Sequence, residues 1–161
     1  MSRVDDLPRR TPARSGALPP ARTLPHSLAG NPALPYPAIG QELSALRLQI
    51  PGVHGCVLGG VDGLLITHNL QNGADPDDLA ALSATMFGLG RQVGSRLGQG
   101  DFQQATVRNE GGCLSVYAVS PQALLAVVGS DSINVARPHL HAPTTAAHVG
   151  DLLDGVVPTT S

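Results

Sequence analysis

Three histidines near the C-terminal end of this 161-residue sequence, His139, His141 and His148, are spaced closely enough to act together. Neutral imidazoles are good zinc ligands, so a metal site is one interpretation of this cluster. The alternative is that they are ordinary surface histidines. The sequence favours the alternative, because Pro138 and Pro143 interrupt the segment and no fourth ligand is obvious. We therefore predict no metal and no cofactor.

Catalytic arrangements are missing from the sequence. His54 and His68 have no Asp or Ser at a fixed spacing, and no Gly-x-Ser-x-Gly, His-Glu-x-x-His or paired-carboxylate pattern occurs. Arg91 and Arg96 carry guanidinium groups of the kind that stabilise charge in phosphoryl transfer. For both arginines, the simpler interpretation is a side chain on a helix surface that forms an ion pair. The sequence predicts a protein that is not an enzyme.

Two other patterns have structural explanations. Cys56 and Cys113 lie on different predicted strands without a Cys-x-x-Cys spacing, so we predict buried free thiols rather than a disulfide or zinc ligands. The glycine-rich loop at residues 59–63 could cradle a phosphate. It lacks Gly-Lys-Ser/Thr and no helix is predicted after it, and its Asp-Gly pair is typical of a tight hairpin turn.

One long helix, over residues 75–98, is the element around which the predicted fold is organised. Asp75 is a good N-cap, Pro76 suits the first helical position, and Asp77 and Asp78 favour the positive end of the helix dipole. Gly98 supplies the stop. The helix therefore has well-defined ends.

The two faces of this helix differ. One is an apolar stripe that we predict to lie on a sheet, formed by Leu79, Leu82, Met86, Leu89, Val93 and Leu97. The other is small and nearly neutral, formed by Ala80, Ala84, Gly88, Arg91 and Ser95. Each glycine inside a helix costs about 1 kcal/mol against alanine, and Gly90 and Gly94 add to this cost. We predict that a second helix packs on the small face, most economically that of a second copy; the alternative is drift in an Ala/Gly-rich sequence.

Proline and charge separate the N-terminal region from the rest. Residues 1–38 contain eight of the fourteen prolines, which prevent helices and strands from propagating, so we predict a disordered arm there and a short flexible tail at residues 156–161. Residues 1–40 carry a net charge of +3 (five Arg, two Asp), and the remainder carries −5 (five Arg, ten acids). An acidic domain is not expected to bind nucleic acid. The basic arm allows at most an indirect role at a membrane, and neither a membrane span nor a signal peptide is recognisable, so we expect a cytoplasmic protein.

Short apolar runs flank the central helix. The predicted order is a helix from residue 39 to 50, strands at 53–58 and 64–67, the central helix, strands at 102–110, 113–120 and 123–129, and a final helix that contains Ala147, Leu152 and Leu153. The connections between neighbouring strands are short enough to require antiparallel pairing. This order predicts an α+β sandwich in a domain spanning residues 39–155.

Several motifs in this order resemble the roadblock family of dynein-light-chain-type proteins. They are Glu42-Leu43 with Leu46, Ile50-Pro51-Gly52-Val53, Val61-Asp62-Gly63-Leu64, Leu97-Gly98-Gln99-Gly100, Gly111-Gly112, and Asn134 with Arg137. The resemblance implies a five-stranded antiparallel sheet of order 2-1-5-4-3, with the long helix on one face and the terminal helices on the other. It also implies a homodimer that works as a scaffold or regulator of a small Ras-like GTPase.

The last helix departs from the family pattern. The family usually continues this helix from about Asn134, whereas Pro138 and Pro143 interrupt it here. An interior proline costs about 3 kcal/mol, so we expect a kinked helix or one beginning only at Thr144.

Two functions from different classes remain open: a dimeric interaction protein that binds a GTPase, and a small-ligand sensor of similar layered fold. The interaction protein is favoured, because a sequence with two Phe, two Tyr and no Trp has few of the aromatic side chains that line ligand pockets.

The third predicted strand has no proline or lysine to protect it as a sheet edge. The predicted contact with a second copy or partner therefore adds Phe102, Gln104, Ala105, Thr106 and Arg108 to the small face of the helix.

Overall fold

The computed structural model describes residues 27–71 and 73–156. Its elements are α1 (Tyr36–Gln49), β1 (Val53–Gly60), β2 (Leu65–His68), α2 (Pro76–Leu97), β3 (Gln104–Asn109), β4 (Gly112–Ser120), β5 (Ala123–Ser130) and α3 (Ala136–Asp154). The strands form one antiparallel sheet of order β2-β1-β5-β4-β3. The predicted α+β architecture and strand order are confirmed.

The sheet separates two apolar cores. On one face α1 and α3 pack against β1, β4 and β5, and the buried residues there include Leu43, Leu58, Tyr117, Leu125 and Val149. On the other face α2 packs over a smaller core that contains Val57, Ala80, Val116, Leu124 and Ala126. The predicted placement of the helices on the two faces is therefore confirmed. Among the described residues, no helix is both long and apolar enough to cross a bilayer.

The ends of α2 are fixed by the residues that the sequence indicated. The Asp75 carboxylate accepts a hydrogen bond from the backbone N–H of Asp77 at 2.9 Å, and Pro76 occupies the first helical position. Gly98 adopts the left-handed conformation (φ 64°), which lets its N–H bond back to the last turn of the helix.

The glycine-rich loop between β1 and β2 is a hairpin turn. Gly63 has a φ of 87°, and its N–H donates to the Gly60 carbonyl at 3.0 Å. The Asp62 carboxylate accepts from the Leu64 N–H at 3.1 Å. A strand follows directly, so the predicted turn is confirmed and the phosphate-binding alternative is not supported.

The late start predicted for the last helix is wrong. α3 begins at Ala136 and runs through both prolines. Pro138 is the third helical residue, where a backbone N–H has no partner inside the helix in any case. Pro143 does remove the bond to the His139 carbonyl, but the neighbouring Ala142 is completely buried against α1 and the sheet, and this packing keeps the helix continuous.

Two side chains before the boundary predicted at residue 38 are buried in the core. Leu28 and Leu34 are 6% and 4% exposed and belong to the core beneath α1 and α3. Residues 27–38 are thus part of the packed domain. Proline density hid this, because two leucines are enough to anchor a short segment of turns. The remainder of the predicted arm, residues 1–26, and residues 157–161 of the predicted tail lie outside the described residues.

Candidate functional site

Small residues bring α2 close to the sheet. Ala80 is 1% exposed, and a Cβ added at Gly59 of β1 would lie 3.3 Å from the Ala80 Cβ. Ser83, one turn on, is buried and donates its hydroxyl to the Leu79 carbonyl at 2.6 Å. Ala84 is half-buried beside the same core. Ala80 is therefore a core residue, and its predicted place at a contact with a second helix is wrong.

Most of the apolar stripe of α2 does not lie on the sheet as predicted, and only Leu79 and Met86 pack against the smaller core. Four members of the stripe are among the most exposed apolar side chains of the described residues: Leu82 (55%), Leu89 (64%), Val93 (47%) and Leu97 (64%). The helix is turned so that Ala80, Ser83 and Ala84 face the sheet. Met86, Leu89 and Val93 face sideways, toward β3. Sequence periodicity identified the residues of the stripe, but it could not show which of the two uncharged helix faces packs against the sheet.

Two of the helical glycines serve contacts within the chain. A Cβ at Gly90 would overlap the Phe102 ring, and a Cβ at Gly94 would lie 2.7 Å from the Gly100 carbonyl oxygen. Both glycines allow the segment between α2 and β3 to fold back along the helix. Gly88 differs, because a Cβ there would have no atom within 4 Å.

This difference predicts opposite effects for the same substitution. Gly88→Ala should raise the free energy of unfolding by about 0.5–1 kcal/mol, because alanine restricts the unfolded chain and meets nothing in the folded one. Gly90→Ala should lower it by about 1–3 kcal/mol through overpacking against Phe102. Urea unfolding of both variants measures this. Destabilisation or dissociation by Gly88→Ala would instead indicate that a second helix does pack there.

An apolar groove lies between the stripe and the sheet edge. This α2–β3 groove has a volume of about 480 Å³, and Met86, Leu89 and Val93 of the helix line it together with Ala105 and Val107 of β3. Sequence periodicity assigned Leu89 and Val93 to the buried side of α2, and no sequence pattern singled out Val107 as a surface residue. The one signal that could have indicated them was the small, nearly neutral composition of the opposite helix face, which made it a second candidate for burial.

The predicted residues of β3 divide between the two faces of the sheet. Ala105 lines the α2–β3 groove with Val107, whereas alternation places Thr106 and Arg108 on the opposite face. The Thr106 hydroxyl is 2.8 Å from the Ser115 hydroxyl of β4, which confirms its direction. Gln104, at the start of the strand, is exposed.

β3 is an open edge of the sheet. The Ala118 N–H of β4 donates to the Gln103 carbonyl, and the register pairs Gln104 with Tyr117. Because bonded positions alternate along an antiparallel strand, the backbone groups of Ala105 point toward β4. Those of Gln104, Thr106 and Arg108 point away from the sheet, with no strand beside them among the described residues.

Arg91 and Ser95 lie on the other side of α2 from this groove. The Arg91 guanidinium carbon is 5.6 Å from the centroid of the Phe87 ring, and Phe87 meets Phe102 edge-to-face at 5.4 Å. Phe102 is half-buried by this packing. The structure therefore does not bring all the predicted contact residues together on one surface.

The histidines of the candidate zinc site have separate partners. His139 Nδ1 is 2.8 Å from the Tyr117 hydroxyl, His141 Nδ1 is 3.1 Å from Gln49 Nε2, and His148 Nδ1 is 3.3 Å from a Glu42 carboxylate oxygen. Within residues 27–71 and 73–156, no three His, Cys, Asp or Glu side chains form a group that could hold a metal ion.

Both cysteines are buried free thiols, as predicted. Burial raises the pKa of Cys56 to about 12, and the nearby positive charge of Arg47 opposes this rise without cancelling it. A thiol with this pKa stays protonated at neutral pH, so Cys56 is not a nucleophile in the folded domain.

Residues 39–129 match the model of the Roadblock/LC7 domain family. The chain belongs to the Roadblock/LC7 family. No curated protein sequence gives a match. Among solved structures, the Roadblock/LC7 domain from Streptomyces avermitilis is 26% identical with a TM-score of 0.66, covering 71% of this chain and 96% of that one.

Other structures with the roadblock fold are less similar in sequence. MglB in a tetrameric arrangement is 19% identical with a TM-score of 0.72, covering 83% of this chain and 99% of its own. The gliding protein MglB from Thermus thermophilus is 18% identical with a TM-score of 0.70, covering 82% of this chain and 98% of its own. At these identities the likeness concerns the fold.

Proposed function

We propose that this roadblock protein is a non-catalytic homodimer in the cytoplasm that binds a small Ras-like GTPase and modulates its nucleotide cycle or its location. One observation carries the proposal: the apolar stripe of α2 is exposed beside an open strand edge. Soluble domains rarely leave such a surface uncovered, and its position suits a symmetric contact.

A two-fold axis beside β3 would cover both features at once. Two β3 edges joined antiparallel continue the sheet from one copy into the other, and the outward backbone groups of Gln104, Thr106 and Arg108 gain partners. The same axis brings the two α2 stripes side by side, so that Leu89 and Val93 of one copy fill the α2–β3 groove of the other. The contact is isologous and closes at two copies.

Family membership and the sequence support the choice of a GTPase as partner. The resemblance of the motifs implies scaffold or regulator activity toward small GTPases, and the sequence itself contains no Gly-x-x-x-x-Gly-Lys-Ser/Thr loop with which to bind the nucleotide. In a dimer, the two α2 helices would form one continuous surface on the outer side of the extended sheet. A surface of this width suits a folded partner better than a short peptide.

The test uses the GTPase encoded nearest to this gene, recognised by its phosphate-binding loop. We expect the purified protein alone to hydrolyse no GTP and to bind that GTPase with an affinity that differs at least about tenfold between the GDP-bound and GTP-analogue-bound forms. Calorimetry measures the affinity, and phosphate release measures the effect on turnover. Equal affinity for both forms, or no binding to either, would contradict the proposal.

A further inference from the structure

A second groove lies on the side of α2 that faces away from the proposed self-contact. Leu89 and Arg91 are two residues apart, which places them about 200° apart around the helix. Leu89 lines the α2–β3 groove, whereas Arg91 lines a groove of about 810 Å³ between the C-terminal half of α2 and the end of the β4–β5 hairpin at Ser120 and Pro121. The two grooves meet near the α2–β3 connection, where Gly94, Gly100, Asp101 and Phe102 line both, but Arg91, Ser95 and Ser120 line only this Arg91 groove.

Aromatic side chains concentrate at this groove. The sequence has only two phenylalanines, and both Phe87 and Phe102 line it. They pack edge-to-face, so that part of each ring is left as an apolar wall. The remainder of the surface comes from small residues such as Gly94 and Ala118, which leave the space between α2 and β4 unfilled.

Arg91 supplies the positive charge of the groove. Its guanidinium lies over the Phe87 ring, and among the described residues no carboxylate is close enough to form an ion pair with it. This cation–π contact leaves the guanidinium N–H donors free for an anion, and a planar carboxylate can accept two of them at once. Ser95 and Ser120 also line the groove.

Asp101 limits which anion can bind. Asp101 lines the same groove, so its negative charge would repel an anion with several charges, such as phosphate. A single carboxylate that is placed against Arg91 and followed by an apolar body avoids this repulsion. The volume of the groove lies within the range of small-molecule sites, about 300–1,000 Å³.

We propose that the Arg91 groove binds a free organic monocarboxylate, with the carboxylate on Arg91 and the apolar body against Phe87 and Phe102. The proposal does not rest on the GTPase or on the dimer, because no residue of the α2 stripe contributes to the ionic contact. It makes this roadblock domain a ligand-binding protein as well as an interaction protein.

The experiment is a titration of the full chain with 4-phenylbutyrate, followed by NMR of the backbone amides and the arginine Nε–H groups. We expect low-millimolar or tighter binding, with shifts concentrated at Arg91, Ser95, Phe102 and Ser120. The uncharged analogue 4-phenylbutyramide and inorganic phosphate should each bind at least about tenfold more weakly. Equal binding of the amide or of phosphate would overturn the proposal, as would shifts elsewhere or none.

Matched arginine variants separate the site from general surface charge. Arg91→Gln should weaken 4-phenylbutyrate binding at least about tenfold, and Arg91→Lys should give an intermediate loss, because lysine keeps the charge without the fork of donors. Arg96→Gln removes a charge from the same helix outside the groove and should bind like the wild type. Wild-type affinity in Arg91→Gln, or an equal loss in Arg96→Gln, would contradict the assignment. All three variants should keep the wild-type mass in light scattering.

Discussion

Substituting Leu89 and Val93 by aspartate should convert the protein from a dimer to a monomer. Light scattering should give the wild type about twice the chain mass of 16.5 kDa, and the double variant about once that mass. Both side chains are exposed in the single chain, so the substitution spares the core. Because the contact is two-fold symmetric, the substitution removes each apolar side chain from it twice, and burial of each contributes about 1.5–3 kcal/mol. The aspartates also bring like charges together. We therefore expect the dimer affinity to fall by more than about a hundredfold.

Leu48→Asp is the matched control for this experiment. Leu48 is also a highly exposed leucine (75%), but it lies on α1, on the other face of the sheet. This variant should keep the mass of the wild type. A wild type that stays monomeric at high micromolar concentration would contradict the dimer. Dissociation caused by Leu48→Asp would indicate that the dimer contact lies on α1 instead.

The edge of β3 can be tested separately within the same experiment. Thr106→Pro removes a backbone N–H that points away from the sheet, so it should weaken the dimer. Thr106→Val removes the hydroxyl contact with Ser115 but keeps the N–H, and it should leave the dimer intact. Ala105→Pro would be a poor choice, because its N–H faces β4 and the substitution would break the ladder inside the chain.

Leu28→Ala and Leu34→Ala should each lower the free energy of unfolding by about 2–5 kcal/mol. Both side chains are buried in the core shared by α1 and α3, and truncating either leaves a cavity there. Losses of this size are a large part of the total stability of a domain, about 5–15 kcal/mol. Denaturant unfolding of the single variants measures the effect.

Truncations provide the control for the N-terminal boundary. Removal of residues 1–26, which the proline content predicts to lie outside the folded domain, should leave the thermal midpoint unchanged. Removal of residues 1–35 takes away both leucines and should lower the midpoint markedly. If the longer truncation is as stable as the full chain, the segment from residue 27 to 35 does not belong to the domain core.

The sequence determined the order of the elements, and the ends of α2 and of the first hairpin turn, because these depend on neighbouring residues. Asp75, Pro76 and Gly98 fix the ends of α2 through local hydrogen bonds and backbone conformation. The Asp62-Gly63 pair fixes the hairpin in the same way. The strand order came from the resemblance of motifs to a known family, since local signals cannot arrange strands that are distant in the sequence.

Only the tertiary structure decided what depends on distant neighbours. The face of α2 that is buried depends on Gly59 beneath Ala80, and on the Phe102 ring that needs the space above Gly90. The continuity of α3 through Pro143 depends on the burial of Ala142, and the packing of residues 27–38 on the domain depends on the core that receives Leu28. A periodic pattern specifies which residues share a face, but burial of that face is set by the size of the side chains across the contact, which lie elsewhere in the chain.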